Sequence, residues 1–190
     1  MNLLAYLLSP FHASGWWRLC RAAGAASILC LGLAAGPAFA QDAPYDRVER
    51  WLKAGELTLA LNEAQTWLTN HPRDPQMRFL SGVILKQRGD LASARETFTA
   101  LTRDFPELPE PYNNLAVLEA AEGRLAEARQ TLEMAIRLHP AYATAHRNLG
   151  DVLLRMAADS YRNALLHGGG SPQDVQHLQS VERLLSPPPR

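Results

Sequence analysis

The chain has 190 residues, 47% hydrophobic and 20% charged, a balance that belongs to globular proteins and not to disordered ones. Its 19 Lys and Arg offset 19 Asp and Glu, leaving no net charge. Nucleic-acid binding through a basic face, which needs cations in excess and clustered, finds no support in that composition.

The first forty residues contain no acid and two basic residues, Arg18 and Arg21, followed by the apolar run 22–35 and then Pro37-Ala38-Phe39-Ala40. This resembles a secretory signal peptide with an A-x-A cleavage site before Gln41. The competing reading is a retained anchor, although Gly32, Gly36 and Pro37 leave a short span against the ~20 apolar residues that a membrane helix needs. Both cysteines, Cys20 and Cys30, lie in this leader, and neither follows a run resembling a lipid-attachment site. A mature chain from Gln41 would have no thiol chemistry and a nearly neutral 17 basic against 19 acidic side chains. One domain is expected.

From Gln41 onward the chain repeats. Gly55, Gly89 and Gly123 are spaced by 34, as are Leu57, Leu91 and Leu125, then Ala60, Ala94 and Ala128, then Pro72, Pro106 and Pro140. Glycine after a helix can take the left-handed conformation that ends it, and proline cannot continue one. The glycine therefore separates two helices within a unit, and the proline separates one unit from the next. Asp74-Pro75 reads as an N-cap and first helical position, and Pro109 and Pro111 fall in the turn and opening helical turn of the following unit. The predicted units are 41–74, 75–108 and 109–142, with a partial fourth at 143–166.

In the fourth unit Ala157-Ala158 stands where the helix-ending glycine is expected, and no turn signal interrupts 142–166. One long helix is predicted there, ended by Gly168-Gly169-Gly170. Ser171-Pro172-Gln173-Asp174 is an N-terminal helix signature, and Val175, Leu178, Val181, Leu184 and Leu185 predict an apolar face. Residues 167–190 are thus a glycine linker, a helix that caps the array, and a proline-rich tail.

These columns resemble the tetratricopeptide repeat family, whose 34-residue unit is a pair of antiparallel helices with small residues at their crossing. The resemblance covers most of the mature chain and implies an all-α solenoid of about three and a half repeats. It places Gly82, Ala116 and Gly150 at the small site of the first helix, and Ala60, Ala94 and Ala128 at that of the second. Leu115 and Leu149 fill the large apolar site, with Ser81 a weaker match. Where the family has a large then a small residue on the second helix, as in Leu132 and Ala135, the first unit has Ala64 and Trp67 and the second Phe98 and Leu101. Ala64 with Trp67 is read as a volume-conserving exchange in which Trp67 packs inward.

No catalytic, cofactor or metal signature is present. His71 and His139 recur before the unit-ending prolines, which fits helix C-termini rather than ligands. His146, His167 and His177 lack partners at metal-ligand spacing, and the Gly168–Gly170 run lacks the residues of a phosphate loop. A non-enzymatic protein with no cofactor is the expectation.

The resemblance further implies a concave groove lined by first helices, which binds a protein or peptide. Its positions here are Tyr45, Glu49 and Leu52; Phe79, Val83 and Lys86; Asn113, Val117 and Ala120; and Arg147, Asp151 and Leu154. Asn113 and Asn114 can donate to and accept from a peptide backbone, although Asn114 can equally satisfy a neighbouring turn. The two-carboxylate clamp by which some family members hold chaperone C-termini is disfavoured, because Phe79, Val83 and Thr144 stand where polar residues are needed. The leading expectation is a periplasmic or secreted scaffold for a protein or peptide partner, with neither nucleic acid nor, after leader removal, membrane as ligand. The alternative is an accessory factor of a cell-envelope enzyme complex, in peptidoglycan remodelling or outer-membrane assembly; an enzyme in its own right ranks last.

Overall fold

The computed structural model describes residues 43–168 and 170–186. The expected leader with Cys20 and Cys30, Gly169 of the linker and the tail at 187–190 lie outside them. The described residues form eight helices and no strand: α1 Tyr45–Lys53, α2 Leu57–Asn70, α3 Pro75–Arg88, α4 Leu91–Asp104, α5 Pro109–Ala121, α6 Leu125–Leu138, α7 Ala143–Leu166 and α8 Pro172–Leu185. They divide into two compact units on either side of the Gly89–Asp90 bond. The first holds α1 to α3, the second α4 to α8.

The repeated punctuation has a single geometry. Gly55, Gly89 and Gly123 sit at φ of 77°, 86° and 80°, where a side chain would be strained. Around Gly55 the amide of Glu56 reaches the Trp51 carbonyl at 2.9 Å and that of Gly55 reaches Leu52 at 3.2 Å. Around Gly123 the amides of Arg124 and Gly123 do the same to Glu119 at 2.9 Å and Ala120 at 3.2 Å. These paired bonds satisfy carbonyls that a helix end otherwise leaves bare. The next helices, α2, α4 and α6, then begin on the repeated leucines Leu57, Leu91 and Leu125.

Before the repeated prolines the second helices also close alike. The cap amides of His71, Phe105 and His139 bond back to Trp67, Leu101 and Ala135, and the amides of Asp74, Leu108 and Tyr142 close the following turn. The Asp74 carboxylate then accepts from the Met77 amide at 3.0 Å, as an N-cap with Pro75 behind it at the first helical position.

Packing follows from the small columns. Ala60, Ala94, Ala116 and Ala128 are fully buried, which lets neighbouring helix backbones approach. The first unit is filled by Val48, Leu61, Met77, Leu80 and Ile84. In the second, Ala116, Ala128, Leu132, Ala135, Ala145 and Val152 form one buried cluster.

Three expectations need correction. Gly150 is exposed, and a Cβ there would meet nothing within 4 Å. Because α7 runs for 24 residues without a break, no second helix folds back to cross it at Gly150. Trp67 is half-buried and does not fill the interior: its indole N–H donates to Asp74 Oδ2 at 2.7 Å and its ring stacks on His71 at 3.7 Å. The polar edge of the indole finds its partner only at the unit boundary, so the side chain stays there. Finally, only Leu178, Val181 and Leu185 of the α8 face are half-covered, whereas Val175 and Leu184 are 41% and 70% exposed. Those two lie nine positions apart, on opposite flanks of the helix, so one neighbour cannot cover both.

Helix α8 is fixed at its start by a full capping box, in which Ser171 and Asp174 each accept from the other's backbone amide. It is tied to α7 by the Arg162–Glu182 ion pair at 3.0 Å and by the tilted ring contact of Tyr161 with His177.

Candidate functional site

The first helices of successive repeats lie side by side within each unit: α1 beside α3, and α5 beside α7. The family's groove positions fall on these helices, and the two units treat them differently.

In the first unit most of the expected residues are engaged or covered. The Tyr45 hydroxyl donates to Asp74 Oδ2 at 2.7 Å, the oxygen that Trp67 also uses. Burial and the adjacent carboxylate together push the phenol well above its ordinary pKa, so it stays a donor. Glu49 is half-exposed and 3.9 Å from the Lys53 ammonium one turn away. Leu52, Phe79 and Val83 are 6%, 4% and 5% exposed and serve as apolar floor. Lys86 is half-buried, and loss of hydration pulls its ammonium down to about 8.

In the second unit the polar groups divide into a buried layer and an accessible one. Asn113 is 5% exposed, and its Oδ1 accepts from Asn148 Nδ2 at 2.8 Å, which joins α5 to α7. Asn114 Nδ2 donates to the Glu110 carbonyl one turn back at 3.1 Å, the local role set against groove binding in the sequence. A second tie comes from Arg155, whose guanidinium donates to the Ala120 carbonyl at 3.4 Å. Above this layer Arg147 is exposed, while Val117, Ala120, Asp151 and Leu154 are half-exposed. No hydrogen bond or ion pair engages the side chains of Arg147 and Asp151 among the described residues.

Asn148 and Arg155 were not singled out from sequence. Both lie on α7, Asn148 three residues before Asp151 and Arg155 four residues after it, and that helical spacing is the signal that could have found them.

His146, beside Arg147 on α7, is exposed, and its Nε2 lies 2.8 Å from the Pro140 carbonyl oxygen. His71 and His139 cap α2 and α6. Among the described residues no group of three His, Cys, Asp or Glu side chains could hold a metal ion, and no described helix is long and apolar enough to cross a membrane.

The tetratricopeptide repeat pattern matches residues 45–109, 84–143 and 113–165. The chain belongs to the tetratricopeptide repeat family. Its fold is the all-α helix-pair solenoid of that family. A TPR repeat-containing thioredoxin, TTL4 of Arabidopsis thaliana, is 34% identical over 108 residues, which is 55% of this chain and 16% of that protein. The match thus spans about a sixth of that relative's length. Two solved structures share the fold. The first TPR of Spaghetti (RPAP3), bound to the HSP90 peptide SRMEEVD, has a TM-score of 0.56 at 16% identity and covers 60% of this chain and 90% of its own. The thermophilic TPR protein TTC0263 of Thermus thermophilus has a TM-score of 0.56 at 21% identity and covers 75% of this chain and 81% of its own.

Proposed function

We propose that this chain is a non-enzymatic scaffold that binds a protein or peptide partner on the face formed by its first helices. The observation that carries the reading is the pair α5 and α7 in the second unit. The buried Asn113–Asn148 bond fixes their spacing, and the charged side chains of Arg147 and Asp151 on α7 have no hydrogen-bond or ion-pair partner among the described residues. Val117, Ala120 and Leu154 supply half-exposed apolar surface between them. Fixed spacing, an apolar floor and single polar groups suit an extended or helical segment. The Spaghetti domain, seen with a peptide from HSP90, supports peptide binding as a use of this fold. The ligand class differs here, because Phe79 and Val83 put buried apolar groups where a carboxylate clamp needs polar ones.

The scaffold is further proposed to work in the periplasm or outside the cell after cleavage at Ala40. N-terminal sequencing of the exported form should begin at Gln41; a form that keeps Met1 removes the localisation and leaves the binding face untouched.

A photoreactive amino acid placed at 117, 147 or 151 tests the binding face. Discrete adducts are expected from these positions and not from 129 or 133, two positions on α6. Equal labelling from both helices, or none from α5 and α7, rejects the reading. An accessory role beside a cell-envelope enzyme, in peptidoglycan remodelling or outer-membrane assembly, is the second reading, and it rests on the expected leader together with the repeat. It requires the adduct to contain that enzyme.

A further inference from the structure

The column one turn before Gly55, Gly89, Gly123 and, in the fourth unit, Ala157 is large and apolar in three registers, Trp51, Leu85 and Leu153, and is Glu119 in the third repeat. Glu119 is 7% exposed. Its Oε1 lies 3.8 Å from Arg124 Nη1, the Thr131 hydroxyl hydrogen-bonds the carboxyl, and Oε2 has no hydrogen-bond partner among the described residues. An ionised carboxylate with a bare oxygen is a costly occupant of such a position.

The surrounding charges do not compensate it. Arg124, at the start of α6, faces Glu119 but lies closer to Glu122, reaching its Oε2 at 2.9 Å through Nη2 and at 3.0 Å through Nε. From α4, Arg95 also serves Glu122, at 3.3 Å. From α6, Glu127 adds a like charge, as does Glu122 itself beyond α5. From α7, the guanidinium of Arg155 is bonded to the carbonyl of Ala120. Two basic groups thus neutralise the exposed carboxylate and leave the buried one short.

We propose that Glu119 is a proton-operated brace in the third repeat: proton uptake by this carboxyl tightens the α5–α6 pair, and proton loss loosens it. The direction of its acidity agrees, since burial raises it above the ordinary carboxylate value. A carboxyl whose value rises on folding contributes its full stability below the unfolded value and loses it as pH rises through the folded one. The inference concerns the helix pair itself and stands whether or not a partner uses the neighbouring face.

Hydrogen exchange of the full chain, corrected for intrinsic rates, tests it between about pH 5 and about pH 8, with α1 to α3 as the internal background. Protection over 112–135 should fall with rising pH, by roughly tenfold for each pH unit that the carboxyl value is raised. Glu119→Gln should flatten the profile and be the better protected at the upper end. Glu119→Leu, which restores the apolar column, should do likewise and covers the case in which the amide disturbs folding. Parallel profiles for wild type and both variants, or weaker protection of both variants at the upper end, would overturn the proposal; the latter would mean that attraction to Arg124 outweighs the burial.

Discussion

The Trp67 indole nitrogen lies 2.7 Å from Asp74 Oδ2, so the last turn of α2 is bonded to the residue that caps α3. Tyr45 donates to the same oxygen from α1, and the Met77 amide to the other. One carboxylate therefore holds together all three helices of the first unit.

Asp74→Ala should destabilise by about 2–4 kcal/mol, combining the loss of an N-cap with two part-buried donors left without an acceptor. Trp67→Phe keeps most of the ring and should cost about 1 kcal/mol. Urea midpoints check both, and the double variant should lose less than the sum because the two changes remove one shared bond. Full additivity would mean that the indole bond contributes nothing.

Two alanine substitutions should act in opposite directions. Gly123→Ala places a side chain at a φ of 80° and should cost about 1–2 kcal/mol. Gly150→Ala enters the interior of α7 with open space around the new Cβ, and helix propensity should make it stabilising by about 0.5–1 kcal/mol. Thermal midpoints decide. A destabilised Gly150→Ala would mean that the small site predicted there is real.

The two layers of the second unit should separate experimentally. Asn113→Ala and Asn148→Ala should each lower stability, with a coupling of about 1 kcal/mol in a double-mutant cycle. Arg147→Ala should leave the urea midpoint unchanged and abolish the crosslink expected from position 117. An Arg147→Ala variant that melts early places the guanidinium in the fold rather than in recognition.

Lys86 should titrate at about 8, as followed by the chemical shift of its ε-methylene. Its value is lowered on folding, so the unfolded chain holds the proton more tightly in the window from about 8 up to the ordinary 10.5. The contribution of Lys86 to stability should therefore rise with pH across that window. An inflection at the ordinary lysine value would remove the effect.

The first six helices were legible because each carries its own local stop: a glycine that must be left-handed at 55, 89 and 123, and a proline that cannot continue a helix at 72, 106 and 140. The long α7 was legible from the missing glycine near Ala157. What escaped depended on neighbours. Gly150 belongs to the small-residue column by register, yet whether anything crosses it depends on the path of the chain after Leu166. Trp67 looked like core because volume is visible in a sequence and the acceptor for an indole N–H seven residues away is not. On the candidate face, register found Asn113 and Arg147 but could not show which was already satisfied. That is set by Asn148, which reaches across from α7.

The unbroken run of α7 has a consequence for how this array can change in length. In repeat arrays a whole repeat can be duplicated or deleted between equivalent turns. From Ala143 onward no such seam exists, because one rod serves as a half-unit and as the bed for α8. A whole repeat can therefore be duplicated only ahead of Ala143, and a further repeat of the same kind past that point would require breaking α7 near Ala157.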